Sequence, residues 1–156
     1  MTELRRSAQP IMIAVVVLLC ATTFAMGQAA EVSTIELQVG DKMRFTPSVI
    51  EAHPGQRLRI VIKGVGKLAA LTHNVVLLKK GTAPKDFADK ASPATEKTGS
   101  IPPAMNDQVI VASALVKPGE SAEVTFEAPP QPGEYVFICS FPGHLNLGMK
   151  GQLIVK

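Results

Sequence analysis

Tyr135-Val136-Phe137-Ile138-Cys139-Ser140-Phe141-Pro142-Gly143-His144-Leu145-Asn146-Leu147-Gly148-Met149 decides the reading of this chain. Its first five residues follow the period of a strand, so Tyr135, Phe137 and Cys139 share one face. With that face inward, Cys139 ends the strand as a buried thiol. Pro142-Gly143 then turns the chain. The loop presents an imidazole at His144 and a thioether at Met149. Thiolate and thioether are soft ligands that suit copper, and imidazole binds it too. Two imidazoles and a thiolate in a plane, with a weak axial Met, make an electron-transfer site. The loop supplies one imidazole, so a second must come from elsewhere.

Outward from this stretch the pattern is that of short strands. Residues 57–63 alternate, with Leu58, Ile60 and Ile62 on one face and Arg57, Arg59 and Lys63 on the other. Residues 121–127 place Ala122, Val124 and Phe126 inward. Further runs lie at 32–39, at 43–50 around Pro47, and at 75–78, 109–115 and 151–155. Gly40-Asp41, His53-Pro54-Gly55 and Lys117-Pro118-Gly119 punctuate them as turns. Seven or eight such strands predict an all-β fold, an antiparallel Greek-key sandwich. Residues 79–107 depart from the pattern, with Pro84, Pro93, Pro102 and Pro103 among Gly81, Gly99 and many Ala, Lys and Asp. They predict a short helix from Pro84 to about Lys90, with Pro in its first turn, inside a surface excursion outside the sandwich.

The chain has 156 residues, enough for one domain with a core. Its net charge of +3 gives no strong pull toward nucleic acid. No phosphate-binding Gly loop, zinc-finger spacing or internal repeat occurs. Arg5 and Arg6 precede the apolar run of residues 11–21, and small residues follow. That order predicts a secretory signal over residues 1–30, or an uncleaved anchor through residues 11–26, and a domain over residues 31–156. The run is short for a bilayer span, which takes about 20 apolar residues. Leu19 before Cys20 argues against lipoprotein processing. Removal of residues 1–30 takes Cys20 and leaves Cys139 as the one cysteine. Exported domains use cysteines in pairs, so a single one needs a metal, a reactive role or a bridge to another chain.

The three histidines are His53, His73 and His144. His73 stands just before the apolar run at 75–78, at a strand end, and loops gather at the ends of a sandwich. His73, Cys139 and His144 therefore form a candidate ligand set that Met149 closes. His53 sits in a Pro-Gly turn and reads as a surface residue.

The loop from Phe137 to Gly151 resembles the ligand loop of azurins and the related auracyanins, which are cupredoxins. Met43-Arg44-Phe45 and Thr72-His73-Asn74 are similar to segments of the same family. The resemblance covers nearly all of residues 31–156 and is loosest over residues 81–104. It implies a type 1 (blue) copper ion with His73, Cys139 and His144 equatorial and Met149 axial. It also implies that Asn74 holds the ligand loop and that the Phe141 N–H donates to the sulfur. Thr72 replaces the Gly that precedes the first ligand in azurins, and the azurin disulfide is absent. Leu145 to Gly148 make the gap before Met149 one residue longer than in azurins, as in auracyanins.

The function this implies is single-electron shuttling by an exported, periplasmic protein. Its partner would be a c-type cytochrome or a periplasmic oxidoreductase, docked briefly on apolar residues near His144: Leu68, Leu71, Phe141, Pro142, Leu145 and Leu147. Neither nucleic acid nor membrane is implied as a partner, unless residues 11–26 are retained. The alternative is a copper carrier or scavenger. A Cys139–His nucleophile pair is a weaker rival, since no oxyanion-hole motif accompanies it. Three histidines are too few for a multicopper oxidase, and one cysteine too few for a binuclear copper loop.

Overall fold

A computed structural model describes residues 31–156, and the signal or anchor segment expected over residues 1–30 lies outside the described residues. Eight strands form two packed sheets: β1 (Ser33–Val39), β2 (Val49–Ala52), β3 (Arg57–Gly64), β4 (Val76–Leu78), β5 (Val109–Ala112), β6 (Ser121–Glu127), β7 (Gly133–Ile138) and β8 (Lys150–Val155). One sheet has the order β1-β3-β6 and the other β2-β8-β7-β4-β5. The pairing is not all antiparallel as expected. β1 runs parallel to β3, and β2 parallel to β8. β1, β2 and β3 alternate between the sheets, so β1 meets β3 only after the chain has crossed the sandwich and returned, whereas β4–β5 and β7–β8 are antiparallel neighbours within one sheet.

The alternation of β3 becomes one wall of the core. Leu58, Ile60 and Ile62 are buried and stand opposite Phe126, Val124 and Ala122 of β6. The facing wall comes from Ile50, Tyr135, Phe137, Leu153 and Val155. Full burial of such a side chain contributes about 1.5–3 kcal/mol. Phe45 meets Phe137 edge-on, with ring centroids 5.1 Å apart. A side chain at Gly151 would collide with the Phe137 ring and the Ser48 carbonyl, so this register requires glycine.

Two boundaries differ from expectation. β5 stops at Ala112, short of the expected residue 115. Ser113 ends it by accepting the Val75 N–H at its hydroxyl (3.0 Å) and donating its own N–H to the Val75 carbonyl (2.9 Å). The helix, α1, runs from Pro84 to Thr98 and is twice the expected length. Pro93 lacks an N–H and normally breaks a helix. It is exposed here, and Phe87, Ala88, Ala91 and Thr95 bury the opposite face. Packing outweighs the lost hydrogen bond. Gly99, at φ +73°, ends α1 in the left-handed conformation. The excursion is therefore not loose surface. Phe87, Ala88, Ala91 and Met105 form a second core against Val76, Leu78 and Ile138, on the outer face of the larger sheet. Among the described residues no helix is long and apolar enough to cross a membrane.

Candidate metal centre

Three side chains meet where β4 begins and β7 ends. His73 is held by a backbone pair with Val116: its N–H donates to the Val116 carbonyl (3.0 Å) and its carbonyl accepts in return (2.7 Å). Cys139 follows β7 directly and is fully buried beside Tyr135 and Phe137, as the alternation predicts. The loop then folds on itself. The His144 N–H donates to the Phe141 carbonyl (3.2 Å) and the Gly148 N–H to the Leu145 carbonyl (2.9 Å). Gly143 and Gly148 adopt φ +80° and +93°, a conformation that a side chain would strain. Met149 closes the loop at both ends. Its N–H donates to the His144 carbonyl (3.1 Å), and its carbonyl accepts the Cys139 N–H (3.2 Å).

The ligand atoms of His73, Cys139 and His144 lie within 4.8 Å of one another. Cys139 Sγ is 3.4 Å from His144 Nδ1, and the two imidazole centroids are 4.8 Å apart. Atoms bound to one first-row metal ion at about 2.0–2.3 Å must lie within about 4.6 Å of each other, so the set is nearly preformed. All three residues are buried, and so is Met149. His73 is 2% exposed, yet neither of its ring nitrogens has a hydrogen-bond partner among the described residues. The neighbouring Thr72 hydroxyl is likewise buried and unpaired. A buried imidazole with two free nitrogens is costly unless something binds it.

Burial sets the protonation of the site. It pushes the Cys139 thiol up to about 11, against the N–H groups of Asn74 and Phe141, which donate to the sulfur. Burial, with His144 close by, lowers His73 to about 4, and the Asp41 carboxylate opposes this. Burial also lowers His144. The pocket thus favours neutral groups, and a bound cation reverses that preference at the thiol. A protonated, buried thiol is a poor nucleophile, which weighs against the Cys139–His nucleophile pair. Asp41 also anchors the loop leading to His73, because its carboxylate accepts the N–H groups of Lys67 (2.9 Å) and Leu68 (3.2 Å).

Behind the ligands lies a polar chain. The Ser140 N–H donates to Asn74 Oδ1 (2.9 Å), and Asn74 Nδ2 donates to Ser140 Oγ (2.9 Å). Asn74 therefore holds the ligand loop, as the resemblance implies. Ser140 Oγ lies 3.0 Å from Thr95 Oγ1 of α1, and Ser92 Oγ lies 3.1 Å from the Ser140 carbonyl. Sequence reasoning missed Ser92 and Thr95, because a hydroxyl on an excursion helix carries no motif, and it gave Ser140 of the ligand loop no role. His53 stays apart: it is exposed, with Nδ1 3.0 Å from the Lys156 carbonyl.

A sandwich of two β-sheets with two imidazoles, a thiol and a thioether buried at one end defines a cupredoxin. Residues 31–156 match the model of copper binding proteins of the plastocyanin/azurin family, and the chain belongs to that family. It is 33% identical to auracyanin-A of Chloroflexus aurantiacus over 124 residues, covering 79% of this chain and 74% of that protein. The solved structure of that auracyanin, titled a "blue" copper protein, covers 81% of this chain and 100% of its own, at 32% identity and a TM-score of 0.70. Azurin of Alcaligenes faecalis is 34% identical over 129 residues, covering 76% of this chain and 94% of the azurin. The copper-resistant cuproprotein CopI of Pseudomonas aeruginosa is 30% identical over 149 residues, covering 83% and 80%.

Proposed function

We propose that this chain is a type 1 blue-copper protein that passes single electrons between redox partners. His73, Cys139 and His144 would hold the copper ion, with the Met149 thioether as a fourth, weaker ligand. The observation that carries this is the pair of unpartnered, buried ring nitrogens on His73, beside a thiol and a second imidazole. Copper bound there supplies the Cu(II)/Cu(I) couple. The protein's share is rigidity. The ligands sit on strand ends and on a loop tied by its own backbone bonds, so little has to move when the charge changes. Burial keeps water from the site, and the N–H groups of Asn74 and Phe141 donate to the sulfur.

Brief docking of a partner such as a c-type cytochrome or a periplasmic oxidoreductase fits the surface around the loops. Leu68 and Leu147 are 57% and 64% exposed, on the loop leading to His73 and the loop holding His144. Apolar patches of this kind suit small, transient interfaces. Export to the periplasm fits the basic and apolar start of the sequence. An electron carrier is not an enzyme. The burial that raises the Cys139 thiol to about 11 in the copper-free fold fits that reading.

The full-length chain, expressed with export and given copper(II), should show the intense blue thiolate-to-copper absorption. Cys139→Ser should abolish it completely. A pale or colourless wild type would sink the proposal. The likeness to CopI favours copper handling as the second reading. Reduction of the blue protein by a c-type cytochrome, followed by reoxidation, supports the shuttle. A blue protein that exchanges no electrons with such donors would support the carrier.

A further inference from the structure

The helix that interrupts the β pattern turns two hydroxyls toward the ligand loop. Thr95 is fully buried. Its Oγ1 donates to the Ala91 carbonyl (3.1 Å), so it accepts from Ser140 Oγ at 3.0 Å. Ser140 Oγ in turn accepts from Asn74 Nδ2 (2.9 Å). The chain Asn74 to Ser140 to Thr95 to Ala91 thus runs in one donor direction through its shorter contacts, with Asn74 Oδ1 a longer alternative acceptor for the Ser140 hydroxyl (3.4 Å). Such chains strengthen their members by mutual polarisation. Ser92 adds a second tie. Its single hydroxyl proton is shared between the Ala88 carbonyl (2.6 Å), within its own helix, and the Ser140 carbonyl (3.1 Å).

Both donors to the Cys139 sulfur are attached to Ser140. Phe141 is joined to it by the next peptide bond, and Asn74 is joined to it through its side-chain amide. We propose that α1 sets the surroundings of the Cys139 sulfur, with Ser92 and Thr95 as positioning residues that act through Ser140. The excursion is then a rear clamp on the ligand loop as well as a cover for the sheet. The spectroscopic consequence rests on the copper reading above. The mechanical one does not.

The test uses the full-length chain and the variants Thr95→Val, Thr95→Ser, Ser92→Ala and Thr98→Val. Thr98 is the control, because its hydroxyl bonds the Ala94 carbonyl (2.9 Å) on the exposed side of the same helix. In copper-free protein at fixed pH, the rate of alkylation is followed at Cys139 by peptide mass spectrometry. Opening the clamp should speed it by about tenfold in Thr95→Val and several-fold in Ser92→Ala. Thr95→Ser and Thr98→Val should stay near wild type. Ser92→Ala is the discriminating variant. Alanine is the better helix former, so a merely structural serine predicts unchanged or higher stability and no faster alkylation. In copper-loaded protein, Thr95→Val should shift the blue absorption maximum and the reduction potential, and Thr95→Ser should restore both. Thr95→Val and Ser92→Ala alkylating no faster than Thr98→Val would overturn the proposal. So would a Thr95→Val protein with the spectrum and potential of wild type. If the clamp variants speed alkylation while wild type never turns blue, the clamp stands and the copper reading falls.

Discussion

His73 and Asn74 are adjacent, equally buried, and opposite in their hydrogen bonding. Asn74 is bonded through both ends of its amide to Ser140, and the chain of donors continues into α1. His73 has no partner at either ring nitrogen among the described residues. One polar group is finished by the protein, and the other is left open beside a thiol. Buried polar groups are generally paired, so the open imidazole, with the unpaired Thr72 hydroxyl next to it, marks the place where binding supplies what folding leaves out. The region behind the ligands stores rigidity. Between them, the His73 ring nitrogens stay open beside the Cys139 sulfur and the His144 imidazole, so that an ion can bind there.

Substituting the pair should separate these roles. His73→Leu should erase the blue absorption entirely, measured by copper titration. It should leave copper-free stability unchanged or higher, because two unsatisfied nitrogens leave the interior. If it unfolds the copper-free protein instead, the imidazole is structural and the contrast collapses. Asn74→Leu should destabilise the copper-free protein by about 1–3 kcal/mol in denaturant unfolding, since Ser140 loses its partners in a buried site. A smaller loss would mean that Ser140 finds other partners.

The next effect is one of pH. His73 is lowered to about 4 in the fold, from 6.5. Between those values the unfolded chain binds more protons than the folded one. Copper-free stability should therefore be complete above about pH 6.5 and decline toward pH 4. Thermal unfolding across that window measures this, and His73→Leu should flatten the slope. The smallest effect is at His53. His53→Ala should leave the colour intact and change stability by no more than about 0.5 kcal/mol, as expected for an exposed side chain with one contact to Lys156.

Much of this was legible in the chain itself. The alternation of Leu58, Ile60 and Ile62 and of Tyr135, Phe137 and Cys139 shows in sequence because a period of two is a local property. His73 was reachable because strand ends gather. Three things were not legible. The parallel pairings of β1 with β3 and β2 with β8 depend on which strands meet after crossing the sandwich, and local pattern does not encode that. The length of α1 was hidden by Pro93, whose cost is outweighed by contacts from residues far away in the chain. Thr95 and Ser92 carried no signal at all, because their partner Ser140 lies more than forty residues further on.

The pairing of β2 with β8 has a consequence for assembly. Val49 finds its neighbour only at Gln152, and β8 is the central partner that joins β2 to β7. A chain emerging from its N-terminal side therefore holds β2 idle until nearly everything else has appeared. Closing so long a loop is slow. For that interval Cys139 has neither Met149 across its backbone nor its hydrophobic roof. Among the described residues, shelter of the one thiol is thus completed only by the last strand, when β8 closes the sheet and brings Met149 across from Cys139.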